Sequence, residues 1–135
     1  MNNSMHAQHQ DFESAIISRY PRLFRQVAPL TLGIAHEILV DLKTDAQWTW
    51  QPPLSKKMLL RFLATYQKQP QYILMICYCY LTEKPRIGLN SNAPVLKGEV
   101  LEVLSFVERN GLEDQLKTLS LYRFYKGAQS KLEVA

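Results

Sequence analysis

The run Tyr72–Leu81, YILMICYCYL, is the tightest constraint in this chain. It follows Pro70 and ends just ahead of Glu83–Pro85. Proline is tolerated at the first position of a helix, and a proline beyond the end stops one. The brackets therefore predict a helix over about Gln71–Tyr80. That helix is apolar nearly all round, so other elements must cover it on every side. Ten apolar residues are too few to span a bilayer, so the expectation is a buried central helix in a folded domain. A chain of 135 residues, 47% hydrophobic, has the material for one such core.

Periodicity supplies the elements that cover it. Phe12, Ala15, Ile16 and Tyr20 recur at helical spacing until Pro21, and Leu23, Phe24 and Val27 make a short second face. Ile34, Ile38, Leu39 and Leu42 line one side of a helix within residues 29–43, with Gly33 at its start, placed for a tight turn or a close approach to the backbone. Residues 44–53, TDAQWTWQPP, read as a loop whose exit Pro52–Pro53 stiffens. Trp48 and Trp50 face one way in extended chain, and core cover is their expected role. Ser55 is placed as N-cap of a helix over 56–67, with Met58, Leu59, Phe62, Leu63 and Tyr66 inward. Arg86–Leu89 and Ala93–Lys97 flank Asn90-Ser91-Asn92 and predict a small hairpin or an irregular β-like loop. Val100, Val103, Leu104 and Val107 mark a helix over 99–109, closed by Asn110-Gly111. A last helix is expected over 112–125. The ends, 1–9 and 127–135, are expected to be loose. The predicted fold is mostly α, a single compact helical domain over residues 10–126.

Charge is unevenly spread. Between Leu54 and Gly98 there are seven cations, Lys56, Lys57, Arg61, Lys68, Lys84, Arg86 and Lys97, against the single anion Glu83, a net of +6. Each flank carries a net of −1. A basic middle between nearly neutral flanks is a candidate footprint for a polyanion. Cys77 and Cys79 are too close in sequence to pair on a helix, and are read as reduced thiols of a cytoplasmic protein. No basic start followed by an apolar stretch marks a secretory signal.

Catalytic signatures are missing. There is no GxxxxGK[ST] or GxGxxG loop, no CxxC set and no GxSxG elbow. Carboxylates are nearly absent from the basic middle, so a two-carboxylate acid–base site has no material there. His6 and His9 lack Cys or carboxylate partners for a metal, and His36 reads as an exposed helix histidine. The expectation is a non-enzyme with no cofactor, no metal, no small-molecule substrate and no membrane association. What the middle does offer is cation with aromatic. Lys and Arg neutralise phosphates, and Tyr stacks on unpaired bases or hydrogen-bonds to them. The competing reading is a solvated helix face at Lys56, Lys57 and Lys68, with Tyr66 and Tyr72 in the core.

Three stretches in order resemble the ProQ/FinO family of bacterial RNA-binding domains. The first is Tyr20-Pro21…Phe24, then Pro29-Leu30-x-Leu32-Gly33-Ile34…Glu37-Ile38. The second is Leu54-Ser55-Lys56…Leu63…Tyr66, then Tyr72, and the third is Arg86-Ile87-x-Leu89-Asn90. The resemblance covers residues 12–100. It implies a mostly helical domain that grips structured RNA on a basic concave face, notably a terminator hairpin with a 3′ single-stranded tail. By the same resemblance Tyr72 and Arg86 match the pocket for the RNA 3′ end. Lys56 matches a basic position at the start of the binding helix, Ser55 its N-cap, and Tyr66 a second patterned tyrosine. Two arginines common on the family's central helix are Leu60 and Ala64 here, with Lys57 and Arg61 adjacent. An arginine before the second tyrosine is Gln71, the lysine after Pro-Leu is Thr31, and the Asp of the third motif is Gly88.

The expected function is RNA binding, as an RNA chaperone or small-RNA-associated regulator acting after transcription. The candidate RNA-binding residues are Ser55, Lys56, Lys57, Arg61, Tyr66, Lys68, Tyr72, Arg86 and Lys97. The alternative is a protein-interaction module that keeps the fold with a weaker RNA grip. Its partner surface would be the Trp48/Trp50 loop or the final helix, with Leu119, Tyr122, Phe124 and Tyr125.

Overall fold

The computed structural model describes residues 5–48, 50, 52–89 and 92–134, with side chains for 11–48, 50, 54–89 and 92–132. His6 and His9 and the hairpin tip Asn90-Ser91 lie outside the described side chains. The fold is mostly helical with one small antiparallel sheet. The elements are α1 (Met5–Arg19), α2 (Pro21–Phe24), α3 (Ile34–Lys43), α4 (Pro52–Lys68), α5 (Pro70–Thr82), β1 (Arg86–Ile87), β2 (Asn92–Ala93), α6 (Lys97–Arg109), α7 (Glu113–Lys117) and α8 (Tyr122–Val134).

As its composition demands, α5 is central. It packs against α4, α6, α7 and α8, and Tyr72, Ile73, Leu74, Ile76, Cys77 and Cys79 are all buried. Pro70 opens it behind an extended Gln69, and Glu83 closes it in the left-handed region at φ 59°. Burial in apolar surroundings pushes the Cys77 thiol up to about 12, which keeps it protonated and unreactive. Among the described residues no helix is long and apolar enough to cross a membrane.

On one side of α5 lie α1, α3 and α4, joined through Phe12, Ile16, Ile38 and Leu59, none of them measurably exposed. Arg19 at the end of α1 forms ion pairs with Asp41, at 3.0 Å, and with Asp45. The Tyr20 hydroxyl donates to the same Asp41 carboxylate. Asp41 is held below its ordinary value, chiefly by that Tyr20 hydrogen bond and then by Arg19.

The two tryptophans turn inward. Trp48 and Trp50 meet the Phe12 ring edge-on at 5.7 and 5.5 Å. Trp48 Nε1 donates to Ser55 Oγ at 2.9 Å, and Ser55 Oγ donates to the Trp50 carbonyl at 3.2 Å. Ser55 is therefore no N-cap. Pro52 and Pro53 are not the stiff exit of a loop but the first residues of α4, where a missing N–H costs nothing. Ser55 falls inside the first turn, buried, and ties the tryptophan loop to the helix.

The ends differ from expectation. α1 already begins at Met5, so residues 5–9 are helical rather than a loose tail. The segment 112–125 is not one helix. Backbone bonds from Leu119 to Leu116 and from Tyr122 to Leu119 turn the chain between α7 and α8. α8 then runs on to Val134, through the segment expected to be loose, because Tyr125 and Ala128 are buried and give it a core to pack on. Gly111 is left-handed at φ 60°, and the Leu112 N–H reaches back to the Val107 carbonyl, as the Asn110-Gly111 pair predicts. Gly33 needs no such freedom: its φ is −91° and nothing lies within 4 Å of where a Cβ would stand.

The C-terminal helices are thus part of the single core. Leu116 is fully buried, so Leu116→Ala should lower unfolding stability by about 2–5 kcal/mol. Urea denaturation should still give one transition by fluorescence and by circular dichroism alike. Two separated transitions would show that α7 and α8 fold apart from the rest.

Candidate functional site

The candidate residues divide into three environments. The first is the outer face of α4. At 100° per residue Lys57, Arg61, Ala64 and Lys68 share one stripe, opposite the buried Met58, Leu59, Phe62 and Leu63. Lys57, Arg61 and Lys68 are exposed, and Lys56 is exposed one position round the helix. From Lys57 to Lys68 the rise is about 16 Å. Leu60, 46% exposed, lies beside the stripe.

The second environment is a knot around Leu30. Leu30 is fully buried, so both of its backbone polar groups need partners. The Tyr72 hydroxyl accepts from its N–H at 3.0 Å. Arg86 Nη1 donates to its carbonyl. Ile87 bridges the same segment, donating to Pro29 O and accepting from Thr31 N, each at 2.9 Å. Arg86 is only 2% exposed, and burial pulls its guanidinium below the ordinary value. The compensating charge comes from Glu99, which forms an ion pair with Arg86 Nη2 while its other oxygen accepts from the Leu96 N–H at the start of α6. Burial likewise pushes the Tyr72 phenol above its ordinary value, so it is neutral here. The loop after β1 is pinned by Arg22, which donates to Gly88 O at 2.9 Å, and by Glu37, which accepts from Leu89 N at 2.8 Å.

The third environment is a cavity of about 710 Å³ where the C-terminal end of α4, the start of α5 and the face of α6 meet. Lys68, Tyr72 and Arg86 all line it. The fold therefore brings together three of the nine candidate residues, one from each basic or aromatic segment. Their exposures differ. Lys68 is free to reach out, whereas the Tyr72 hydroxyl and Arg86 Nη1 meet Leu30, Arg86 Nη2 pairs with Glu99, and the buried Arg86 Nε is left without a hydrogen-bond partner. Tyr66 sits behind the cavity, its ring edge-on to Phe24 and Tyr72. Its hydroxyl is buried beside the Ala28 backbone without a well-formed hydrogen bond. Lys97 is exposed at the first turn of α6. Ser55 is not among the cavity's lining residues, having been taken up by the tryptophan loop.

Glu99, Glu102, Phe106 and Arg109, none of them a candidate from the sequence, also line the cavity, as does Leu32 of the first motif. Four of these lie on one face of α6 at steps of three and four. That spacing was a signal, but it singles out a helix face and not what the face encloses. Leu32 is 78% exposed at the turn before α3, an apolar side chain that Leu30's clamp holds at the edge of the cavity. Lys68, Arg86 and Arg109 against Glu99 and Glu102 make the lining only weakly positive. Among the described residues no group of His, Cys, Asp and Glu is placed to hold a metal. No family model, curated protein or solved structure matches the chain.

The knot has a measurable energy. Tyr72→Phe leaves the buried Leu30 N–H without an acceptor and should cost about 1–3 kcal/mol of stability in urea denaturation. Glu99→Ala leaves Arg86 buried with an uncompensated charge. It should cost up to about 3 kcal/mol, the low end for a broken buried pair because the Glu99 carboxylate is partly exposed. Unchanged midpoints in both variants would mean that the segment is held by other contacts.

Proposed function

We propose that this chain is a non-enzymatic RNA-binding protein of the ProQ/FinO type, an RNA chaperone or small-RNA-associated regulator of the bacterial cytoplasm. The outer stripe of α4 meets the phosphates of a structured RNA, and the adjoining cavity receives the end of a hairpin's 3′ tail. The observation that carries this reading is a continuity. Lys57, Arg61 and Lys68 form an exposed basic row, and its last member is also part of the wall of the cavity. Among the described residues, neither Lys57 nor Lys68 pairs with a carboxylate. A basic row beside a hollow of nucleotide size suits a duplex that ends in a single strand.

In this reading Tyr72 and Arg86 act differently from Lys68. They shape the cavity by holding Leu30, and the ring of Tyr72 and the half-buried Phe106 supply apolar wall for a base. Lys56 and Lys97, both exposed, add charge at the margins. A protein-interaction module is favoured by a separate observation: Leu60 and Leu32 stay exposed beside the stripe and the cavity. The Trp48/Trp50 loop gives that reading less support, because both rings pack on Phe12.

A gel-shift titration with a terminator-type hairpin tests the proposal. Binding should weaken when the single-stranded tail is removed, and equal affinity with and without the tail rejects the role of the cavity. Combined Lys57→Ala, Arg61→Ala and Lys68→Ala should flatten the dependence of log K on log salt by about 2–3. A slope left at the parent value rejects the stripe.

A further inference from the structure

A second association of cations with aromatic rings stands at the packing seam of α5 and α8, sharing no residue with the cavity. Lys84 Nζ lies 5.2 Å from the centroid of the Tyr78 ring. Tyr78 meets Phe124 edge-to-face, with centroids 4.8 Å apart at 86°. Arg123 Cζ lies 4.7 Å from the Phe124 centroid. The four side chains form an unbroken row, cation, ring, ring, cation, drawn from the end of α5 and the start of α8. A third cation, Lys131, lies 4.6 Å from the Tyr80 ring at the same end of α5. Cation–ring contacts of this kind are expected roughly once per 70–80 residues, so three where α5 meets α8 are a concentration.

The charges there are available. Lys84 and Arg123 are exposed, and among the described residues neither pairs with a carboxylate. The contrast lies further along the same part of the chain, where Lys117 and Lys126 do pair, with Asp114 and Glu113. The hydrogen bond to Tyr78 raises Lys84 above its ordinary value. Each cation rests against a ring that limits its rotamers, which lowers the entropy lost when it meets an anion. Tyr78 and Phe124 are half-buried, so each keeps part of its surface open to solvent.

We propose that the row Lys84–Tyr78–Phe124–Arg123 is a second nucleic-acid contact, one that takes single strand, with phosphates on the two cations and a base against the open ring surface. The chemistry is that of single-strand grooves, where cations follow the backbone and aromatics accept any base. This contact does not depend on the α4 stripe.

The test is fluorescence anisotropy with an unstructured single-stranded RNA and with a blunt duplex of equal length, across a salt series. Paired Lys84→Ala and Arg123→Ala substitutions should weaken single-strand binding about tenfold and flatten its salt slope by about 1.4. Duplex binding should change much less. Phe124→Leu, which keeps bulk but removes the ring, should weaken single-strand binding with the salt slope unchanged. Lys84→Glu alone, at an exposed position, serves if the paired variant loses its circular dichroism spectrum. Single-strand affinity equal to the parent's in these variants overturns the proposal, as does a parent chain with no salt-dependent single-strand binding. The α4 triple variant run beside them separates the two surfaces. Loss of single-strand binding only there overturns the seam, and loss only in the seam variants supports it even if the stripe fails.

Discussion

The peptide groups of Leu30 are the point on which the rest of the structure depends. A buried backbone segment normally satisfies its N–H and C=O groups in a helix or a sheet. Leu30 lies between two helices and beside strands only two residues long, so regular structure supplies little. A phenol from α5 and a guanidinium from β1 take that place. The guanidinium cannot be buried alone, and its partner carboxylate is carried on α6. One residue thus draws together α5, the hairpin and α6, and the cavity is the space those elements leave in front of it.

That arrangement redistributes the charge that makes the middle of the chain conspicuous. Seven cations lie between Leu54 and Gly98, but Arg86 is spent inside on Glu99 and Leu30. Its field is largely cancelled at the surface. Exposed positive charge stands on the outer face of α4 and beside the rings of the α5–α8 seam. The cavity carries charges of both signs.

Much of the helical framework was legible because it rests on local rules. The apolar run after Pro70 required a buried helix and produced one. The spacing of Met58, Leu59, Phe62 and Leu63 put those residues inward and left Lys57, Arg61 and Lys68 outward. Asn110-Gly111 ended α6 where a left-handed residue was needed. Where local signals were ambiguous, tertiary contacts decided. Ser55 has the chemistry of a cap, but Pro52 and Pro53 start the helix a turn earlier, and the serine bonds to a tryptophan loop instead. The polar tail after Tyr125 looks loose in sequence because its apolar positions are sparse. Tyr125 and Ala128 are enough to hold it once α5 is there to receive them.

From the sequence alone follow the helical class, the buried α5, the basic middle and the outward stripe of α4. All of these depend on neighbours a few residues away, through period, capping and proline geometry. Only the tertiary structure decided that Tyr72 and Arg86 face the same buried peptide, that Glu99 pairs with Arg86, and that Tyr78 and Phe124, each with a cation against it, meet edge to face. Those contacts join positions from 13 to 56 residues apart. They arise from how helices with no preferred partners share one core, and no spacing rule encodes that.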